Sequence, residues 1–328
     1  SAPAGLEAYD RLRGSLGIPV FHENLYSTAV VATAALINAL DLADKAIADT
    51  RVVVCGAGTV GLGCARLLRA LGLPAENLLL YDVNGLISPD REDLNGYQRA
   101  FARQDAARSL ADGLRGADVF LGASAGGVLD AEMIRSMNRY PVIFAMATPD
   151  PEIGYREARE VRRDAIVGTS LAPAPNAILD SLSFPYIFRG ALDVQASGIS
   201  EGMMLAAARS LADLAREEVP EEVSRAYGNE PFTFGPEYLL PKSIDPRILV
   251  RQSAAVARQA MQENLARLPV ATEAYEESLT VRLGTARELM RHLIIKARSV
   301  NPRIVLPEGT SEKILRAAAI LADEGIAS

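Results

Sequence analysis

The run Val52-Val53-Val54-Cys55-Gly56-Ala57-Gly58-Thr59-Val60-Gly61 constrains the fold more than any other part of the chain. Its β-branched residues predict a short buried strand, its glycines a tight turn, and the apolar residues from Cys64 to Leu71 a helix that opens straight out of that turn. Each glycine has a separate job: Gly56 permits the turn, Gly58 lets main chain approach a pyrophosphate, and Gly61 lets the helix lie close on the strand. The N–H groups at the start of that helix are free to meet phosphates, and Thr59 and Val60 supply two of them. Asp82 ends the next apolar run, where a carboxylate accepts the ribose hydroxyls of a dinucleotide.

Further apolar runs at Leu78–Tyr81, Val119–Gly122, Val142–Met146 and Ala165–Val167 are separated by segments long enough for a helix. Strands that alternate with helices predict an α/β fold, here a doubly wound, mostly parallel, Rossmann-type sheet with C-terminal helices. Residues 27–43 read as a buried helix capped by Ser27, and residues 200–216 and 246–268 as long helices, the second opening at Asp245 and Pro246. The expected organisation is a helical segment over 1–17, an NAD(P)-binding domain over 18–268, a charged helical connector over 269–300, and an incomplete unit over 301–328. That last unit opens with a strand at Arg303–Leu306 followed by a helix over 311–324.

Charge and residue usage exclude other classes. Lys and Arg number 34 against 41 Asp and Glu, a net charge of −7, which is not the electrostatic footprint of a nucleic-acid binder. The apolar runs near 27–40 and 203–215 are interrupted by polar residues, and no signal peptide opens the chain, so no membrane association is expected. Cys55 and Cys64 stand alone with His22 and His292, which disfavours a zinc site and fits reduced thiols in a cytoplasmic protein.

Several stretches carry a resemblance: Ile18-Pro19-Val20-Phe21-His22, Thr28-Ala29, the Gly56–Gly61 turn, Asp118-Val119-Phe120-Leu121-Gly122 with Ser124, Phe144-Ala145, Pro149-Asp150-Pro151-Glu152, and Phe184-Pro185-Tyr186-Ile187-Phe188-Arg189-Gly190-Ala191-Leu192-Asp193. In these the chain resembles the malic enzymes, in particular the bacterial hybrid type with a phosphotransacetylase-like C-terminal part, whose opening residues 301–328 are similar to. The resemblance implies oxidative decarboxylation of malate to pyruvate and carbon dioxide, with NAD or NADP and with Mg²⁺ or Mn²⁺. It assigns cofactor binding to Thr28, Gly56, Gly58, Thr59, Val60, Gly61, Asp82, Gln98, Ser124 and Thr148, and substrate contact to Asp180. No catalytic residue is assigned here, because the family's tyrosine and lysine, with a Glu-Asp pair of metal ligands, lie upstream of Ser1.

Departures from the family pattern matter too. The position of the third metal carboxylate is Asn24, a weak ligand; the family's Ala-Asn-Pro is Ala147-Thr148-Pro149; its paired asparagines are Leu179-Asp180. Glu23 stands next to Asn24, with its side chain expected to point elsewhere. NAD is expected over NADP from Asp82 and from Gln98, where NADP-dependent members tend to carry lysine, while Arg91 and Arg99 are the groups that could serve a phosphate. The expected partner is a small dicarboxylate or hydroxy acid, and the chain is expected to form a homo-oligomer. Two other readings stay open: a dinucleotide-binding or oligomerisation module without turnover, and an oxidoreductase for a different hydroxy acid. His22 reads as a hydrogen-bonded structural residue, Cys55, Met203 and Met204 as core, Asn176 as a turn residue, and Arg156, Arg159, Arg162 and Arg163 as a solvated helix face.

Overall fold

Six strands make one sheet in the computed structural model, which describes residues 2–172, 174–300, 302–323 and 325–327. They are β1 (Val52–Cys55), β2 (Leu78–Asp82), β3 (Gly85–Leu86), β4 (Val119–Gly122), β5 (Val142–Ala145) and β6 (Ile166–Thr169), in the order β3-β2-β1-β4-β5-β6. All neighbours run parallel except β3, which turns back antiparallel on β2. Val52 stands opposite both Leu78 and Val119, so β1 is central and the strand order reverses between β1 and β4. Every residue of β1, β4, β5 and β6 is buried, which is why these strands read as unbroken apolar runs.

The helices are α1 (Ala2–Ser15), α2 (Glu23–Leu42), α3 (Thr59–Leu71), α4 (Gly96–Arg99), α5 (Leu110–Leu114), α6 (Ala131–Ser136), α7 (Tyr155–Val161), α8 (Tyr186–Asp193), α9 (Glu201–Leu214), α10 (Glu221–Ala226) and α11 (Arg247–Gln262). On one face of the sheet, Val53, Leu79, Tyr81, Phe120, Ile143 and Val167 pack with Leu114, Ile134 and Ala158 from α5, α6 and α7. Helix α2 packs on α3 and α9, and α11 packs on α8 and α9. A Cβ on Gly63 would lie 1.8 Å from the Leu25 carbonyl oxygen, so α2 and α3 approach more closely than a side chain at that point allows.

Several details differ from the sequence reading. Helix α2 starts at Glu23, so Ser27 is buried inside it instead of capping it, and His22 takes the N-cap position without a side-chain bond. The His22 ring meets Tyr9 edge-on at 5.9 Å. By length and composition α2 could cross a bilayer, with mean hydropathy 1.5, yet 78% of that window is buried as the core helix of the protein. Helix α11 stops at Gln262 because Asn264 turns to φ +57° and the chain bridges Ala266 back to Ala196. Arg159 and Arg162 are more than a solvated face: Arg159 donates to the Arg163 and Ala165 carbonyls, and Arg162 clasps Asp164 and the carbonyls of Met137 and Asn138.

The chain divides into two compact units, Ser1–Thr272 and Glu273–Ser328. The second is made of α12 (Thr272–Val300) and α13 (Glu312–Asp323). The strand expected at Arg303–Leu306 is not formed, since a single strand with no neighbour to pair has nothing to satisfy its N–H and C=O groups. The side chain of His292 lies outside the described residues.

Candidate dinucleotide site

The glycine turn joins β1 to α3 at the point where the strand order reverses, the place where open α/β sheets bind ligands. Gly56 has φ +111°, and a Cβ on it would lie 2.3 Å from the Ala123 carbonyl oxygen in the loop after β4. A Cβ on Gly61 would lie 1.8 Å from the Gly56 oxygen. Gly58 is different: it has ordinary φ, it is the N-cap of α3 with no side-chain cap bond, and a Cβ there would meet nothing within 4 Å. Free helix N–H groups beside an open glycine are a cradle of the size and polarity a pyrophosphate needs. Gln98, capping α4 with Asn95, donates from Nε2 to the Ala57 carbonyl at 3.3 Å and tethers α4 to the turn.

Asp82 ends β2 beside this turn, its carboxylate gripped by the Arg91 guanidinium through two bonds of 2.8 Å. Arg91 also holds Asp93, from Nη2 at 2.6 Å and from Nε at 2.9 Å. Those bonds push the Asp93 carboxyl down to about 2. The positive charge of Arg91 is thus shared between two carboxylates, and Arg99 beside it is exposed.

Across the reversal point lies a cavity of about 380 Å³, lined among others by Asn24 and Thr28 of α2, Val60 of α3, Ser124 after β4, Ala147 and Thr148 after β5, Ser170 after β6, and Asp180. The cavity therefore gathers Asn24, Thr28, Val60, Ser124, Thr148 and Asp180 of the expected residues, while Asp82 and Gln98 stand by the glycine turn. Ser124 is held by Glu152, which accepts from its N–H at 2.8 Å and its hydroxyl at 3.2 Å, and from the Ala147 N–H at 3.0 Å. Cys55 donates from Sγ to Ser124 Oγ at 3.4 Å, and burial pushes its thiol up. Glu23, contrary to expectation, turns its carboxyl toward Asp180; burial first, and then the Asp180 charge, raise it above the usual carboxylate range. Ser170 carries no mark in the sequence, and Glu152 closes a stretch that carries the family resemblance but is assigned no role there. Asn176 is fully enclosed and ties the Val167 and Pro236 carbonyls to the Leu239 N–H, a tie within the fold and not a simple turn residue.

A hard divalent cation needs several oxygen ligands, most of them anionic. Asn24, Asp180 and the Glu23 carboxyl turned toward it do not provide that set, and among the described residues no group of three or more His, Cys, Asp or Glu could hold a metal. No chemical step is therefore assigned to a metal.

Residues 25–227 match the family described as "Malic enzyme, NAD binding domain". The chain belongs to the malic enzyme family. It is 43% identical over 317 residues to an NADP-dependent malic enzyme of Rhizobium meliloti, covering 96% of this chain and 42% of that protein. A NAD-dependent malic enzyme of the same organism is 41% identical over 329 residues, covering 99% of this chain and 43% of that protein. The chain thus spans about two-fifths of the length of these relatives. Among solved structures, the malic enzyme of Entamoeba histolytica superposes with a TM-score of 0.81 at 30% identity, over 99% of this chain and 65% of that one. The malic enzyme of Pyrococcus horikoshii gives 0.78 at 30% identity, over 89% and 66%. Malic enzymes dependent on NAD and on NADP both match along nearly the whole chain.

Proposed function

We propose that this chain is the cofactor-binding part of an enzyme that oxidises and decarboxylates malate to pyruvate and carbon dioxide, with NAD preferred to NADP. The observation that carries the reading is the open Gly58 cradle at the start of α3, next to a cavity at the strand reversal whose lining is polar where the family binds cofactor. Bound NAD supplies the hydride acceptor. The turn Gly56–Gly61, with the N–H groups of Thr59 and Val60, holds the pyrophosphate, and Asp82 accepts from the adenosine ribose. Gln98 fixes the turn, and Thr28, Ser124 and Thr148 orient the nicotinamide half. Asp180 and Asn24 face the substrate. The NAD preference is supported by the saturation of Arg91: a 2′-phosphate would have to displace Asp82 or Asp93 from it.

In this reading residues 18–268 are the NAD(P)-binding domain, 1–17 a helical segment, 269–300 the connector, and 301–328 the opening of a phosphotransacetylase-like domain. The free, buried thiols of Cys55 and Cys64 support a cytoplasmic setting. Leu12, Leu16 and Ile18, left 43–59% exposed, support a homo-oligomer. The test is malate-dependent appearance of reduced nicotinamide absorbance with NAD, in a protein that carries this chain together with the upstream segment the family resemblance implies. Asp180→Asn is expected to raise that rate, by removing a charge that repels the dicarboxylate. Absence of malate-dependent reduction in every form would overturn the reading.

A further inference from the structure

Glu152 lies in the loop between β5 and α7 with 0% exposure. Every hydrogen bond it makes is one it accepts: from the Ser124 N–H and hydroxyl, and from the Ala147 N–H. Three donors converge on its two oxygens, which accept and have nothing to donate to. Among the described residues no Lys, Arg or His comes within the 4.0 Å of an ion pair. The fold also reserves space for this group. A Cβ on Gly122, the last residue of β4, would lie 2.3 Å from the Glu152 carboxyl carbon, so the central sheet gives up a side chain to house it.

A charge buried to 0% exposure with no counter-cation beside it is weakly screened, and its field reaches its surroundings at low effective dielectric. What surrounds Glu152 is the wall of the cavity, because both of its anchors, Ser124 and Ala147, line it. In a doubly wound sheet a dinucleotide lies across the carboxyl ends of the strands, one half on each side of the reversal point. The adenosine half goes with Asp82 on the β1–β2 side, which leaves the nicotinamide half over β4 and β5, above Ser124 and Ala147. The nicotinamide ring is a cation when oxidised and neutral when reduced.

We infer that Glu152 is a positioning residue that acts on the charge state of the cofactor: it pins the loops after β4 and β5, and its uncompensated carboxylate favours the oxidised, cationic nicotinamide over the reduced form. The inference rests on the proposed reading that this site holds a nicotinamide dinucleotide.

The experiment is a calorimetric or fluorescence titration of the folded 328-residue chain with NAD⁺ and with NADH, for wild type, Glu152→Gln and Glu152→Asp. Wild type should bind NAD⁺ at least as tightly as NADH. Glu152→Gln should shift the ratio of the two dissociation constants toward NADH by on the order of tenfold. Glu152→Asp, which keeps the charge and loses reach, should weaken both forms and leave the ratio near the wild-type value. A merely structural role would weaken both forms by the same factor in Glu152→Gln, and an unchanged ratio there would overturn the inference. If Glu152→Gln does not fold, the other two proteins still decide: NADH bound more tightly than NAD⁺ by wild type, or a ratio lost in Glu152→Asp, would overturn it. Wild type binding neither form would instead bring down the dinucleotide reading, an outcome distinct from binding both with a ratio that ignores Glu152.

Discussion

Asp82 and Arg91 show how one ion pair sets a preference between two cofactors. In wild type, Asp82 offers its oxygens to a ribose while Arg91 is held between Asp82 and Asp93. The chain should therefore bind NAD more tightly than NADP. Asp82→Ala should narrow that gap by roughly tenfold, since a hydrogen bond to a charged group is worth about 1.5–3 kcal/mol and the released guanidinium is free to meet a 2′-phosphate. Paired calorimetric titrations of both cofactors measure this, and equal affinities in wild type would remove the argument. Gly58 gives a second residue-level test. Because a methyl group there meets no protein atom, Gly58→Ala should cost only the N-cap preference of glycine over alanine, no more than about 1 kcal/mol in chemical denaturation, and yet weaken dinucleotide binding further than that. A loss of stability equal to the loss of affinity would contradict the cradle. These residues were legible in the sequence because the turn chemistry of glycine and the placement of an acid after the second strand are local signals. Glu152 was not, because its role depends on a β4 glycine distant in the chain and on two main-chain N–H groups that no side-chain pattern reveals.

Helix α2 shows the same contrast for an element. Its apolar sequence announced a buried helix, but its start moved to Glu23, since the first turn is fixed by packing against α3 and by the chain coming in from His22, not by a capping hydroxyl. The closest contact, Gly63 on the Leu25 carbonyl, was invisible in the sequence, as no periodicity says which small residue faces a neighbour. Gly63→Ala should therefore destabilise the chain by about 1–3 kcal/mol in chemical denaturation, in contrast to Gly58→Ala. The N-terminus of α2 also carries a pH dependence. Glu23 holds its proton more tightly in the folded chain than in the unfolded one, so its contribution to stability is greatest below the unfolded carboxyl range and is lost as pH rises through the folded value. Glu23→Gln should flatten that fall, and denaturation midpoints followed from about pH 4 to 7 would show it. The same slope in both proteins would count against the contact with Asp180. The strand expected at Arg303–Leu306 failed for a related reason: its local signal was adequate, but pairing is not a local property.

For the molecule as a whole, the cavity lining fixes what chemistry the chain can perform unaided. Its polar side chains are those of Asn24, Thr28, Ser124, Thr148, Ser170 and Asp180, with no Lys, Tyr or His among the described residues. Proton transfer by a positioned acid or base contributes on the order of 10²–10⁴ in rate for each group. The 328-residue chain supplied with NAD, malate and Mn²⁺ should accordingly show no measurable nicotinamide reduction, and robust turnover in a spectrophotometric assay would place the proton-transfer groups within it. The layered α/β architecture was readable because every strand but one is an unbroken apolar run flanked by helices. That exception, β3, has an effect beyond topology. A sheet edge is a row of unpaired N–H and C=O groups on which another chain can polymerise. One border is β3, two residues that cover Tyr81 and Asp82 of β2 and leave the buried start of that strand beside them, and the other, β6, is partly covered where Thr169 bridges to Ala177. Neither border offers a strand long enough to seed intermolecular growth, so concentrated solutions of this chain should resist fibrous aggregation through their sheets.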